Sequence, residues 1–353
     1  MKNKYWKGNT MFKEVIKEQN LPKLLSRNEM LNILFEEEYG HLPEKPTNLN
    51  WEVEKNIINN FCAGKAILNK ITITCEMGDK TFSFPFCLAL PKAEGKHPFF
   101  IHINFRDLVP DIYMPTEELI DNGFAVFSFC YKDITSDNDD FTDGLAEVLY
   151  ENGDRKSNDP GKIAMWAWAA HRVMDYAQTL ESVLDLKNAV ACGHSRLGKT
   201  ALLAAATDER FNFAYSNNSG CSGAAITRNK QGETVKDICK KFPFWFCENY
   251  KKYIDNEQNM PFDQHYLVAC MAPRKVLIGS ASEDLWADPV SEQLCCVAAS
   301  DAFEKGFACD KMPAEIGDEF FEGDVGYHLR KGLHYFSRED WLKLIKFVNM
   351  HKL

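Results

Sequence analysis

From Pro98 to the C-terminus, short apolar runs alternate with stretches of helical periodicity. Residues 99–104 (FFIHIN), 124–130 (FAVFSFC), 188–192 (NAVAC), 211–215 (FNFAY) and 275–279 (KVLIG) have the length and the aromatic or β-branched content of buried strands. Residues 162–180, opened by Asp159-Pro160-Gly161, read as a long amphipathic helix. Residues 200–207 and 341–351 read as further helices. Strand and helix in alternation imply a parallel sheet covered by helices on both faces.

Before Pro98 the pattern differs. Residues 1–45 are charged and helical in periodicity, as in 29–39, and break at Gly40 and Pro43, so helices outside the main sheet are expected. Residues 70–75 alternate, Gly78-Asp79 is a turn signal and residues 81–90 resume the strand, an antiparallel hairpin. Pro85 cannot donate to a ladder, which predicts that this hairpin lies at a sheet edge. The acidic, turn-rich residues 133–143 are expected to form a surface loop. The predicted division is a helical extension over residues 1–50 and one α/β domain over 51–353.

Charge and composition narrow the partners. A net charge of −10 without blocks of like charge argues against nucleic acid and anionic membrane as partners. No apolar run is long enough to span a bilayer. The twelve cysteines contain no C-x-x-C pair. Cys75, Cys87, Cys130 and Cys192 fall in strand-like apolar runs, so buried reduced thiols and no metal centre are expected. The N-terminus is cationic but carries no apolar segment of the signal-peptide type, and the expected location is the cytoplasm.

The chemistry concentrates at residues 187–200, KNAVACGHSRLGKT, which read as strand, tight turn and helix. Two chemistries share this signature. Gly193, Gly198, Lys199 and Thr200 complete the phosphate-binding pattern G-x-x-x-x-G-K-[ST]. That loop also needs an acid ending a second strand to hold Mg²⁺, and no strand run here closes on one. The other chemistry is a nucleophile elbow presenting Ser195, which needs a histidine to take its proton and a carboxylate to orient that histidine. In α/β-hydrolases the chain order is Ser, acid, His, each beyond a strand's carboxyl end. Glu283 and Asp284 follow the strand run 275–279, and His334 follows the Gly326-Tyr327-His328 segment shortly before the last helix. His328 is the rival base. His265 reads as a buried, hydrogen-bonded histidine, and His194 as a wall of the pocket.

The elbow Gly193-His194-Ser195-Arg196-Leu197-Gly198-Lys199 resembles the G-C-S-R-x-G-K elbow of glucuronoyl esterases, carbohydrate esterase family 15. Residues 217–224 (NNSGCSGA), 245–253 (WFCENYKKY), 261–265 (PFDQH), 272–274 (APR) and Trp286 resemble further blocks of that family in order, so the likeness covers roughly residues 95–350. The branch often labelled acetyl xylan esterase looks nearest. The resemblance implies an α/β-hydrolase fold, a three-layer αβα sandwich around a mostly parallel sheet. It also implies a cofactor-free serine esterase acting on an ester of a sugar or uronic acid, with deacetylation of xylo-oligosaccharides as the alternative. By the same resemblance Ser195 is the nucleophile, His334 the base and Arg196 the oxyanion donor, while Lys199, Trp286 and Trp245 lie at the substrate. The bland alternatives are a solvated Lys199, a core Trp286 and an ion-paired Arg196. One position departs from the family: many members carry the triad acid as Glu where this chain has Asn218. The expected acid is therefore Asp284, nearer Trp286, with Glu283 as the alternative and Asp288 as a helix start.

Overall fold

The computed structural model describes residues 9–353. The cationic residues 1–8 of the expected extension lie outside the described residues. The chain runs α1 (Asn9–Glu18), α2 (Arg27–Leu34), β1 (Asn48–Glu54), β2 (Ala66–Met77), β3 (Lys80–Pro91), β4 (His97–Asn104), α3 (Thr116–Asp121) and β5 (Ala125–Cys130). It continues through α4 (Gly144–Leu149), α5 (Lys162–Gln178), β6 (Leu184–His194), α6 (Arg196–Thr207), β7 (Phe213–Asn217) and α7 (Val235–Lys241). Last come α8 (His265–Ala269), β8 (Lys275–Ala281), α9 (Pro289–Ala299), β9 (Glu319–Phe320), β10 (Val325–Arg330) and α10 (Arg338–His351).

The ten strands form one sheet in the order β1-β2-β3-β5-β4-β6-β7-β8-β10-β9. Neighbours from β5 across to β10 pair in parallel, while β1, β2, β3 and β9 are antiparallel. Parallel strands buried on both faces read as nearly continuous apolar runs, which is why they stand out in the sequence. One face is packed by α5, α6, α8 and α9 with α2, the other by α3 and α10 around Trp341. These are the three expected layers. The N-terminal helices belong to the first layer: Met30, Leu31, Leu34 and Tyr39 join its core, and the Arg27 guanidinium bonds the carbonyls of Ala206 and Cys270.

The hairpin is present, with Met77 paired to Lys80 across the two-residue Gly78-Asp79 loop, but it is not the sheet edge. β1, an alternating but largely exposed run outside the expected elements, pairs along β2 and forms the edge beyond the hairpin. Pro85 is tolerated because β5 pairs β3 only at residues 87–89, so the side of position 85 facing β5 has no ladder to complete. All twelve cysteines are free thiols, and Cys75, Cys130 and Cys192 are buried as expected, with Cys87 half-buried.

Candidate active site

The carboxyl ends of β6, β7, β8 and β10 meet at one side of the sheet. β6 closes at His194, and α6 begins at Arg196, so the whole reversal falls on Ser195. That residue sits at φ 59°, ψ −128°, a conformation costly for any residue but glycine and characteristic of strained functional turns. Its N–H is held by the Asn217 carbonyl at 2.8 Å. Gly193 makes the turn possible, since a Cβ there would stand 2.2 Å from the Leu197 carbonyl oxygen. The phosphate-loop reading fails on the same geometry. Gly198, Lys199 and Thr200 lie inside α6, leaving no open loop to cradle a phosphate. The Lys199 ammonium turns to the carbonyls of Ser219 and Cys221, the latter at 2.6 Å.

The candidate acid and base arrive on two loops. His334 follows β10, and its Nδ1 lies 2.6 Å from Asp284 Oδ2 on the loop after β8. Asp284 is only 5% exposed. Burial pushes its carboxyl up, but hydrogen bonds from His334 and Asn218 outweigh that and hold it below the usual carboxylate range. Glu283 beside it is exposed, which favours Asp284 of the two acids, as does the histidine contact. Asp288 caps α9 by accepting the Ser291 N–H, as expected of a helix start. Asn218 donates its amide to the same Asp284 oxygen at 2.8 Å. Asn218, where the family resemblance led a carboxylate to be expected, is thus a donor that steadies Asp284.

Ser195, His334 and Asp284 line one open cavity of about 360 Å³. The Ser195 hydroxyl makes no hydrogen bond to His334 among the described residues, and it shares that cavity with the half-exposed imidazole. His194 packs its ring 4.4 Å from that of His334 and bonds Asn217 through Nδ1 at 2.7 Å. Burial first, and His334 second, push it down to about 3, so it is a neutral wall. His328 is buried within β10 and bonded to the Tyr215 hydroxyl at 3.0 Å, out of reach of the cavity. His265 bonds the Pro22 carbonyl on the N-terminal segment. Neither is available as base.

The remaining predicted residues divide. Trp286 is 48% exposed at the cavity mouth, with the Lys241 ammonium 4.7 Å from its ring centroid, and so is not core. Lys199 lines the cavity but is buried, not solvated, and two of its three N–H bonds already go to carbonyls. Trp245 also lines the cavity, yet it is 3% exposed and stacks on Phe242 at 3.9 Å between centroids. Its indole N–H is bonded to Asp137 at 2.8 Å. Arg196 is ion-paired to the same Asp137 and lies 4.6 Å from the Trp245 ring.

Residues 133–143 form a surface loop as expected, with Asn138, Asp139 and Asp140 exposed, but Asp137 turns its side chain inward. The buried Lys162 ammonium ties that loop down through the Thr135 and Ser136 hydroxyls, both at 3.0 Å, and the Asp140 carbonyl. Sequence reasoning also missed Glu233, Lys241 and Phe242 as cavity residues, and no local pattern marks them.

An elbow serine facing a carboxylate-oriented histidine across the carboxyl ends of a parallel sheet defines an α/β-hydrolase. Within that class the comparisons are specific. Residues 73–306 match the family described as glucuronyl esterase, fungi, and the chain belongs to the glucuronoyl esterase family. It is 39% identical over 241 residues to Carbohydrate esterase MZ0003 from an unknown prokaryotic organism, covering 67% of this chain and 55% of that protein. It is 25% identical over 296 residues to a 4-O-methyl-glucuronoyl methylesterase of Podospora anserina, covering 81% of this chain and 57% of that protein. Among solved structures, the glucuronoyl esterase from Solibacter usitatus superposes with a TM-score of 0.83 at 32% identity, over 92% of this chain and 91% of that one. The chain thus spans little more than half the length of these curated relatives.

Proposed function

We propose that this chain is a serine esterase that hydrolyses an ester of a uronic acid by way of an acyl-enzyme. The observation that carries this reading is the 2.6 Å His334–Asp284 hydrogen bond at a cavity shared with Ser195. Ser195 Oγ attacks the ester carbonyl while the far nitrogen of His334 takes its proton. Asp284 fixes the tautomer and stabilises the imidazolium that forms. Collapse of the tetrahedral intermediate returns that proton to the departing alcohol and leaves the uronoyl group on Ser195. Water then attacks, His334 acting once more as base, and releases the acid. The carbonyl oxygen gains charge beside the Arg196 backbone N–H, at the first turn of α6 where helical N–H groups have no internal partner, and near the Arg196 guanidinium. A donor fixed in this way lowers such a barrier by about 3–4 kcal/mol.

Several features support a sugar ring as the acyl portion. The cavity pairs one half-exposed indole, Trp286, with polar groups of both signs, Lys199 and Glu233. The Podospora anserina relative is named a 4-O-methyl-glucuronoyl methylesterase. The test is hydrolysis of methyl glucuronate and of acetylated xylose side by side, by the wild type and by Ser195→Ala. Faster turnover of the glucuronate, lost by several orders of magnitude in Ser195→Ala, is the expected result. Preference for the acetyl ester would reassign the substrate, and wild-type turnover in Ser195→Ala would end the serine-esterase reading.

A further inference from the structure

One charged group beside the cavity is unused by this chemistry. Asp137 stands on the loop between β5 and α4, and its side chain is nearly buried. It accepts three hydrogen bonds: from the Tyr131 hydroxyl at 2.8 Å, from the Trp245 indole N–H at 2.8 Å and from Arg196 Nη1. Its loop is anchored at several points. Lys162 at the start of α5 binds Thr135, Ser136 and Asp140, and the Asp143 carboxylate accepts the Ser136 N–H at 3.1 Å. The Arg196 guanidinium is therefore held between a carboxylate and the Trp245 ring 4.6 Å away, and that ring is itself fixed by the same carboxylate. Nη1 of Arg196 is taken, and its Nε is buried and has no hydrogen-bond partner among the described residues, which leaves Nη2 as the donor open to a ligand.

We infer that Asp137 is a positioning residue for the reaction, setting the Arg196 guanidinium beside the ester carbonyl so that its Nη2 N–H groups, neither hydrogen-bonded nor buried, meet the oxyanion as it forms. This rests on the serine-esterase reading. Two effects of Asp137 oppose one another. Its negative charge reduces the field that Arg196 exerts on an oxyanion. Against this, a free arginine side chain has a large rotamer freedom, and a donor assists a transition state only when it is already in place. Positioning wins here because the carboxylate fixes the guanidinium and the indole together by one hydrogen bond each, in a partly buried wall, and is itself held by a third from the Tyr131 hydroxyl.

The test is a double-mutant cycle on methyl glucuronate, with kcat and KM measured separately for Asp137→Asn, Arg196→Ala and the pair, and with Ser195→Ala alongside. Asp137→Asn should lower kcat roughly 10- to 100-fold, as misplacement of a reacting group does, with KM changed less than about twofold. In the Arg196→Ala background the same substitution should cost less than about threefold. Equal losses in both backgrounds, a loss confined to KM, or a rise in kcat would each overturn the inference. If Asp137→Asn does not fold, Trp245→Phe removes one of the three N–H or O–H donors on Asp137 while keeping an aromatic ring, and must show the same dependence on Arg196. Loss of activity in Ser195→Ala together with an unaffected Asp137→Asn would leave the esterase reading standing and reject this one.

Discussion

Asp284 Oδ2 accepts two hydrogen bonds, from His334 at 2.6 Å and from the Asn218 amide at 2.8 Å. The two donors differ in kind. In the proposed reaction His334 becomes cationic in the transition state, so its bond to a carboxylate strengthens as the reaction proceeds, whereas the neutral amide only orients. Asp284→Asn should therefore cost about three to four orders of magnitude in kcat, since an amide can neither stabilise an imidazolium nor enforce the tautomer. Asn218→Ala should cost roughly tenfold or less, and Glu283→Gln, outside the cavity, should stay near wild type. Steady-state kinetics on purified variants checks all three. Near-normal turnover in Asp284→Asn, with loss in Glu283→Gln, would move the acid by one residue. The candidate acid was legible in the sequence only as a choice of two neighbours on a loop. The choice needed the burial of each side chain, which depends on where β8 ends and how the following loop turns.

At the scale of elements, the parallel strands and long helices were legible because burial on both faces leaves an apolar run that no loop imitates. Their ends were not. β6 begins at Leu184, through the polar Asp185 and Lys187, because pairing with β4 extends past the apolar stretch. α6 starts at Arg196, not at Thr200, because Ser-Arg-Leu-Gly-Lys carries an elbow's composition and not a helix's. β1 alternates polar and apolar residues, but it is short and largely exposed, and its pairing with β2 is what makes it a strand, while the buried face of the 133–143 loop left no local pattern because distant partners, Lys162 and Arg196, define it. The elbow is the element where sequence and structure agree most closely, and it yields a test of the fold. Gly193→Ala would place a methyl 2.2 Å from the backbone oxygen of Leu197, and backbone in the first turn of α6 cannot step aside without moving Ser195. The expected outcome is a destabilisation of roughly 1–3 kcal/mol, as overpacking produces, together with a loss of fluorophosphonate labelling at Ser195. Unchanged thermal unfolding with unchanged labelling would show that the turn is looser than its geometry implies.

Across the whole molecule, one buried acid braces the loop that follows β7 and a second braces the segment before α8. Glu292 of α9 accepts the Gly220 N–H at 2.9 Å and the Ser280 hydroxyl at 2.5 Å, joining that loop to the end of β8. Glu38, on the N-terminal segment after α2, takes the Gln264 amide on both oxygens at 2.9 and 3.1 Å. The adjacent Tyr39 hydroxyl donates to the Ser222 carbonyl at 2.9 Å. The N-terminal segment thus supports the loop that carries Asn218 and receives Lys199. Burial pushes Glu38 up to about 8, with Asp263 adding to it, and pushes Glu292 up to about 7. Both values lie above the 4.5 of a free glutamate, so between pH 4.5 and those values the folded chain holds protons that the unfolded chain has lost. Stability from these two groups is fully present below that window and falls as pH rises through it. For Glu38 the loss is on the order of a few kcal/mol by about pH 9, since each pH unit of the window contributes roughly 1.4 kcal/mol. Glu38→Gln keeps an acceptor for Gln264 and removes the ionisation, so its unfolding midpoint should decline less than that of the wild type between pH 6 and 9. The measurement is thermal unfolding across that range for the wild type, Glu38→Gln and Glu292→Gln. Parallel slopes in all three would show that these carboxyls titrate as exposed ones do, and that the bracing does not depend on their staying neutral.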